Sequence, residues 1–140
     1  MALTILIPVE TSSEVEYMAN AARQYFPGDT EMIFLHVVDT RMLESLKTVD
    51  ERTALGLFEQ LRAAGDVQLK QAVAALKISA QSIVVEGNPF VEIIKLSRDL
   101  QVDLIAMKTR SNKNPLENVF FGSTADRILR ASARPVFCIP

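Results

Sequence analysis

Five short apolar runs, separated by stretches of helical periodicity, dominate the pattern of this chain. LTILIPV at 3–9, EMIFLHVV at 31–38, AQSIVVE at 80–86, DLIAM at 103–107 and RPVFCIP at 134–140 have the length and make-up of strands. Runs that are continuously apolar, rather than alternating, are expected of strands covered on both faces. Pro8 lies near the end of the first run, where a missing N–H matters little.

The intervening segments read as helices. Ser12 or Ser13 offers a cap for a helix carrying Val15, Met18, Ala19, Ala22 and Phe26, which Pro27-Gly28 stops. Residues 39–50 read as loop with at most a turn of helix. Asp50 then caps a long helix whose stripe is Phe58, Leu61, Leu69, Ala72, Val73 and Leu76. Asn88 as cap and Pro89 at the first helical position start a third helix, with Phe90, Ile93, Ile94, Ser97 and Leu100 facing inward. Ser123-Thr-Ala-Asp126 has capping-box spacing, with Asp in place of Glu, and opens a fourth helix to about Ser132.

Strand and helix therefore alternate from end to end, with no linker, repeat or low-complexity segment. This predicts one α/β domain over 1–140, with parallel strands joined by right-handed crossovers and helices on both faces of the sheet, Rossmann-like in class. A chain of 140 residues, 49% of them apolar, is long enough to bury a core without disulfide or metal. In such sheets ligands sit beyond the C-terminal strand ends, at the switch in strand order. Here that means the loops after Val9, Val38 and Met107.

Several functions are disfavoured by what those loops contain. A net charge of −2 gives no footprint for nucleic acid. No apolar run reaches the ~18 residues that span a bilayer, and MALTILIPVE reads as a first strand rather than a signal peptide. The single cysteine, Cys138, cannot form an internal disulfide and suits a reducing cytoplasm. One Cys and one His leave no plausible zinc ligand set. A phosphoacceptor arrangement would need paired acids after the first strand, where PVETS stands, and an Asp after the third, where VVEGN stands. No GxxxxGK[ST], GxGxxG or GxSxG is present. His36 lies within a strand and is expected to be buried or capped, Cys138 is expected to be core, and Glu10 is an isolated strand-end acid. No catalytic set assembles.

The combination ILIPVETS, FLHVVDT, VEGNPFVEII, DLIAM and GST–ADRILRASARPVFCIP resembles the universal stress protein family, in order, from Leu3 to Pro140. The most specific parts are the HVVD end of the second strand, the EGNP turn, the DLIAM strand and the terminal GS-helix-RPVFCI unit. The resemblance implies strand order 3-2-1-4-5 and a homodimer. In it Pro135, Val136, Phe137, Cys138 and Ile139 would form an edge strand that pairs with its twin, since an apolar edge is a liability unless covered.

Family members that bind ATP resemble one another in a glycine motif after the fourth strand, Gly-x2-Gly-x9-Gly-[Ser/Thr]. Its glycines let backbone N–H groups approach the phosphates, and its final hydroxyl and helix start complete the cradle. Matched residue by residue, this chain keeps Gly122 and Ser123 only. Lys108 stands at the first glycine, Ser111 at the second, and ten residues separate Ser111 from Gly122, one more than the motif has. Neither Lys nor Ser readily takes the positive φ that glycine permits. Glu10 stands where ATP-binding members commonly have Asp. The nucleotide or anion site that the resemblance implies would draw on Pro8, Val9, Glu10, Val37, Met107, Lys108, Arg110, Ser111, Gly122, Ser123 and Thr124.

The departures point to a universal stress protein with a degenerate motif and without ATP or another cofactor. It would be a cytoplasmic homodimer that acts in stress response through protein partners, with no nucleic acid, membrane or metal involved. The alternative is a nucleotide- or anion-responsive sensor, since Lys108, Arg110 and Lys113 place three cations opposite a helix start. A plainer account of the same loop has Ser123 capping the helix, Gly122 permitting the turn and the cations solvated. Val119, Phe120 and Phe121 would then pack on the core or a partner subunit. A slow ATPase is the third reading, with only Glu10 and Asp39 on offer as base or metal ligand.

Overall fold

The computed structural model describes residues 2–41, 50–109 and 123–140. Its elements in order are β1 (Leu3–Pro8), a 3₁₀ turn (Ser12–Glu14), α1 (Val15–Tyr25), β2 (Thr30–Asp39), α2 (Glu51–Ala75), β3 (Ala80–Gly87), α3 (Pro89–Asp99), β4 (Leu104–Lys108), α4 (Ser123–Ala131) and β5 (Val136–Ile139). The five strands form one sheet in the order β3-β2-β1-β4-β5, and every neighbouring pair is parallel. The α/β architecture and the strand order are those expected.

Because successive side chains point to opposite faces, each strand feeds two cores. Ile5, Ile7 and Val9 of β1 and its end join Met32 and Phe34 of β2 and Leu104 and Ala106 of β4 under α1 and α2, whose Val15, Met18, Ala22, Leu69 and Val73 close that layer. Leu6, Ile33, Leu35, Ile105 and Met107 face the other way, with Ile93 of α3 and Ala125 and Ile128 of α4. Fully burying a side chain the size of Ile or Phe contributes about 1.5–3 kcal/mol, and the central strands β1, β2 and β4 supply most of these. That is why their sequences read as unbroken apolar runs.

The starts of α2 and α3 follow the expected chemistry, that of α1 is displaced, and at α4 Asp126 accepts from Arg130 Nε at 3.1 Å in place of the expected capping box. Asp50 accepts from the Thr53 N–H at 2.7 Å. Asn88 accepts from Phe90 and Val91 at 3.0 and 3.4 Å, with Pro89 in the first turn. At α1, however, the cap is neither Ser12 nor Ser13. Thr11 caps a 3₁₀ turn that precedes the helix, Glu14 at the end of that turn stands at the N-cap position of α1, and the Glu14 carboxylate accepts from the N–H groups of Glu10 and Thr11.

Two residues expected to face inward do not. Leu61 is 40% exposed and Leu100 37% exposed. Leu100 is the C-cap of α3, where the chain already turns away toward Gln101, which takes a positive φ of 50°. In α2 the buried residues are Ala54, Phe58, Leu69 and Val73, so the stripe bypasses Leu61. Cys138 is half-buried rather than core, because β5 is an edge strand. β5 also starts later than expected, at Val136: the Ser132 hydroxyl holds Arg134 in a turn through both its N–H and its C=O.

Candidate functional site

The strands part at the switch point. β1 pairs with β4 only through Ile5↔Leu104 and Leu6↔Ile105, whereas β1 stays with β2 as far as Pro8↔Leu35. β4 in turn stays with β5 as far as Lys108↔Ile139. Beyond Leu6 and Ile105 the ladder is missing, so a crevice opens between the C-terminal ends of β1 and β4, as parallel sheets of this order demand.

Its walls are fixed by backbone hydrogen bonds. The Val9 N–H donates to Leu35 O at 2.8 Å, and the Val9 carbonyl accepts from His36 Nδ1 at 3.1 Å. A carbonyl can only accept, so His36 carries a proton on Nδ1. The half-buried imidazole is thus a structural tie between β1 and β2, in line with the expectation for it. On the β4 side, the Thr109 N–H donates to Ile139 O at 2.9 Å.

An ion pair crosses the gap. Glu14 Oε1 accepts from the N–H of Glu10 at 2.7 Å and of Thr11 at 3.2 Å. Its other oxygen, Oε2, lies 3.7 Å from Lys108 Nζ, and the two side chains are only 14% (Lys108) and 13% (Glu14) exposed. The ammonium also lies 5.4 Å from the centroid of the Tyr17 ring, a cation–π distance, and the Tyr17 hydroxyl donates to the Pro140 carbonyl. Glu14 and Tyr17 were not singled out by sequence. Thr11-Ser-Ser-Glu14 does have the Thr-x-x-Glu spacing of a capping box, which could have revealed Glu14 as a backbone cap. Nothing in the sequence marks its pairing with a lysine 94 positions on.

The described candidate residues divide between the two faces. Pro8, Val9, Glu10, Val37, Met107 and Lys108 all stand at the C-terminal ends of β1, β2 and β4. Lys108 follows Leu104 and Ala106 on the α1 face, where Glu14 and Tyr17 receive it. Met107 and Val37 point into the opposite core, with Ala125 of α4. Ser123 is exposed and Thr124 half-buried at the start of α4. The sheet therefore sends the Lys108 ammonium to one side and carries the α4 start on the other. Arg110, Ser111 and Gly122, together with Lys113, Val119, Phe120 and Phe121, lie outside the described residues.

Two further groups bear on chemistry. Asp39, at the end of β2, is engaged by Arg41, with Nε–Oδ1 at 2.9 Å and Nη2–Oδ2 at 2.6 Å. The side-chain hydrogen bond from Arg41 holds the Asp39 carboxyl below its ordinary value. Burial pushes the Cys138 thiol up, away from the thiolate a nucleophile needs. Between the Glu10–Ser12 turn, His36 and the α2 residues Gly65, Gln68 and Leu69 lies a cavity of about 110 Å³. Pockets that enclose small ligands usually measure ~300–1,000 Å³. Among the described residues no group of three or more His, Cys, Asp or Glu could hold a metal ion, and no helix is long and apolar enough to cross a membrane.

A family model described as the universal stress protein family matches residues 1–140. The chain belongs to the universal stress protein family. Among curated relatives it is similar to universal stress protein MJ0577 of Methanocaldococcus jannaschii, 23% identical over 152 aligned residues covering 96% of this chain and 93% of that one. The solved structure of MJ0577 superposes with a TM-score of 0.72 at 26% identity, covering 99% of this chain and 96% of the other. The universal stress protein UspA of Lactobacillus plantarum has the same fold, with a TM-score of 0.72 at 19% identity over 99% and 97% of the two chains. So has a universal stress protein family protein of Arabidopsis thaliana solved with AMP bound, with a TM-score of 0.61 at 11% identity over 98% and 90%. These likenesses extend over the whole chain, so the crevice lies within the matched fold.

Proposed function

We propose that this universal stress protein does not hold ATP, and that it works as a cytoplasmic homodimer acting in stress response through protein partners rather than as an enzyme. The observation that carries the reading is the shielded Lys108–Glu14 pair across the crevice. The side chain that replaces the motif's first glycine is held between the strand ends, and its charge is already matched by a carboxylate. A triphosphate approaching backbone there would have to displace a side chain and break an ion pair. The degenerate motif, with Ser111 at the second glycine and one additional residue before Gly122, supports the same reading. Asp39, one of two acids a slow ATPase could use, is engaged by Arg41. Isothermal titration with ATP is expected to give no binding in the micromolar range; micromolar affinity would overturn the proposal.

A second reading is favoured by one observation, that a protein of the same fold from Arabidopsis thaliana was solved with AMP bound. In it the chain is a nucleotide- or anion-responsive sensor that uses Lys108, Arg110, Ser111 and the Gly122-Ser123-Thr124 helix start. That reading requires ATP or AMP to raise the melting temperature, and requires the rise to vanish in Lys108→Ala and Ser123→Ala. Absence of the rise in the parent protein rejects it.

A further inference from the structure

The chain has two tyrosines, Tyr17 and Tyr25, and both stand on α1 with about half of their surface exposed, 48% and 56%. Eight residues apart, with Ala21 between them, they share one shoulder of the helix. That shoulder borders β5. The Tyr17 hydroxyl donates to the Pro140 carbonyl, and the Tyr25 ring centroid lies 5.1 Å from that of Phe137. Eight residues of helix rise about 12 Å, and the chain from Phe137 to Pro140 rises about 10 Å. The tyrosine stripe therefore matches β5 in length and runs antiparallel to it, with Ala21 level with the middle of the strand.

The shoulder has the make-up of a protein contact. The charged residues of α1 are Glu16 and Arg23, and at about 100° per residue both fall on the opposite shoulder. Lys108 lies behind the Tyr17 ring, paired with Glu14 and only 14% exposed. Tyrosine in excess and charge in deficit mark the centres of protein–protein interfaces. A second copy of this chain is the occupant that fits. β5 has no partner strand on its outer side among the described residues, and an open apolar edge calls for cover. An uncharged stripe also meets its own copy without like-charge repulsion. A twofold axis perpendicular to the sheet pairs two β5 edges antiparallel and keeps both α1 helices on one face. Through the middle of β5, that axis also passes the middle of the stripe. We infer that Tyr17 of each copy packs against Tyr25 of the other, in a tyrosine layer that closes over the β5 seam. The inference rests on the proposed homodimer and adds to it a helix contact that the strand edge does not supply. Tyr17 is already held by the Pro140 carbonyl and Tyr25 by Phe137, so little side-chain freedom is lost on association.

The test is photo-oxidative cross-linking with a ruthenium trisbipyridyl complex and persulfate, which joins tyrosine rings in contact. Wild-type protein, at a concentration where sedimentation equilibrium shows a dimer, is expected to give a covalent dimer. Its dityrosine should join the peptide carrying Tyr17 to the peptide carrying Tyr25. Tyr17→Phe and Tyr25→Phe each keep the ring, and each should remain dimeric while cross-linking falls to background. Mixed in equal amounts and re-equilibrated, the two variants should regain about a quarter of the wild-type yield. About half of the dimers are then mixed, and one of the two contacts in each joins Tyr17 to Tyr25. Cross-linking of either variant by itself, or a wild-type dimer that gives no dityrosine, would overturn the inference and leave the homodimer standing. A wild type that is monomeric at high concentration would overturn it together with the homodimer.

Discussion

Lys108 Nζ and Glu14 Oε2 lie 3.7 Å apart beyond the point where β1 and β4 stop pairing. β1 and β4 share two register pairs, both at the N-terminal side of the crevice. The side-chain pair therefore holds together strand ends that the backbone ladder leaves apart. It also ties the end of β4 to the turn that launches α1, and through Tyr17 to the Pro140 carbonyl beyond β5.

Removing one partner of that pair should destabilise the fold measurably. Lys108→Met leaves the Glu14 carboxylate shielded with its two backbone donors but without its cation, and is expected to cost about 1–2 kcal/mol. That lies below the 3–5 kcal/mol of a fully buried pair, because 3.7 Å is long and some water reaches it. In a double-mutant cycle with Glu14→Gln, urea midpoints should yield a coupling of about 1 kcal/mol. Additive losses would mean that the two groups do not interact.

The long helix α2 gives a pH-dependent prediction. The Asp50 carboxylate accepts from the Thr53 N–H, and this backbone hydrogen bond holds its pKa below the ordinary 3.8. A carboxyl whose folded pKa is depressed stabilises the protein above its unfolded pKa, and the contribution fades as pH falls through the folded value. Asp50→Ala should therefore lower Tm at pH 7, with the gap to wild type closing only below about pH 4. Melts from neutral pH to strong acid measure it, and a gap that is constant with pH would show that the cap bond contributes nothing through charge.

What the sequence made legible follows from which interactions are local. Five apolar runs and the Asp50 and Asn88-Pro89 starts gave the elements, because strand burial and helix capping are written within a few residues of where they act. The strand order came with the family resemblance, since periodicity alone does not say which parallel strands are neighbours. The candidate site was less legible. The loss of glycine at Lys108 and Ser111 could be read, but the partner of Lys108 could not, because Glu14 meets it only after the sheet has formed. Likewise the face to which Lys108 points, opposite to that of Met107, depends on β4 register, which Leu104–Lys108 does not declare by itself. Leu100 was misplaced because a helical stripe marks an apolar face without saying where along the helix the neighbouring layer ends, and Leu61 because the buried stripe of α2 passes it by between Phe58 and Leu69.

Backbone conformation makes opposite predictions at two turns. Gly87 has φ of +155°, and an added Cβ would lie 2.7 Å from Glu92 Cγ and Oε1, so Gly87→Ala combines strain with a clash. A loss of about 2 kcal/mol is expected. Lys77, just after α2, has φ of +53°, a left-handed conformation that costs an L-residue about 1–2 kcal/mol. Lys77→Gly should stabilise by about 0.5 kcal/mol after the greater flexibility of the unfolded chain is subtracted. Chemical denaturation of both variants tests the pair; a stabilising Gly87→Ala or a destabilising Lys77→Gly would contradict the assignment of strain.

The edge strand carries the last prediction. β5 pairs with β4 on one side only, and its Phe137 is held from α1 and the residue after it by Tyr25 and Phe26, with ring centroids 5.1 and 5.2 Å away. Those rings fix the strand, whose outer edge has no partner strand among the described residues, and Val136 and Cys138 are half-buried on the other face. The expected species in solution is a dimer of twice 15.5 kDa, joined through Val136–Ile139. Deleting residues 136–140 removes the pairing edge together with the cover for Ile105 and Met107, and should leave a monomer or an insoluble chain. Sedimentation equilibrium on the parent and the truncated chain distinguishes the cases. A soluble dimer that survives the deletion would place the interface elsewhere, and a parent protein that is monomeric at high concentration would remove the dimer altogether.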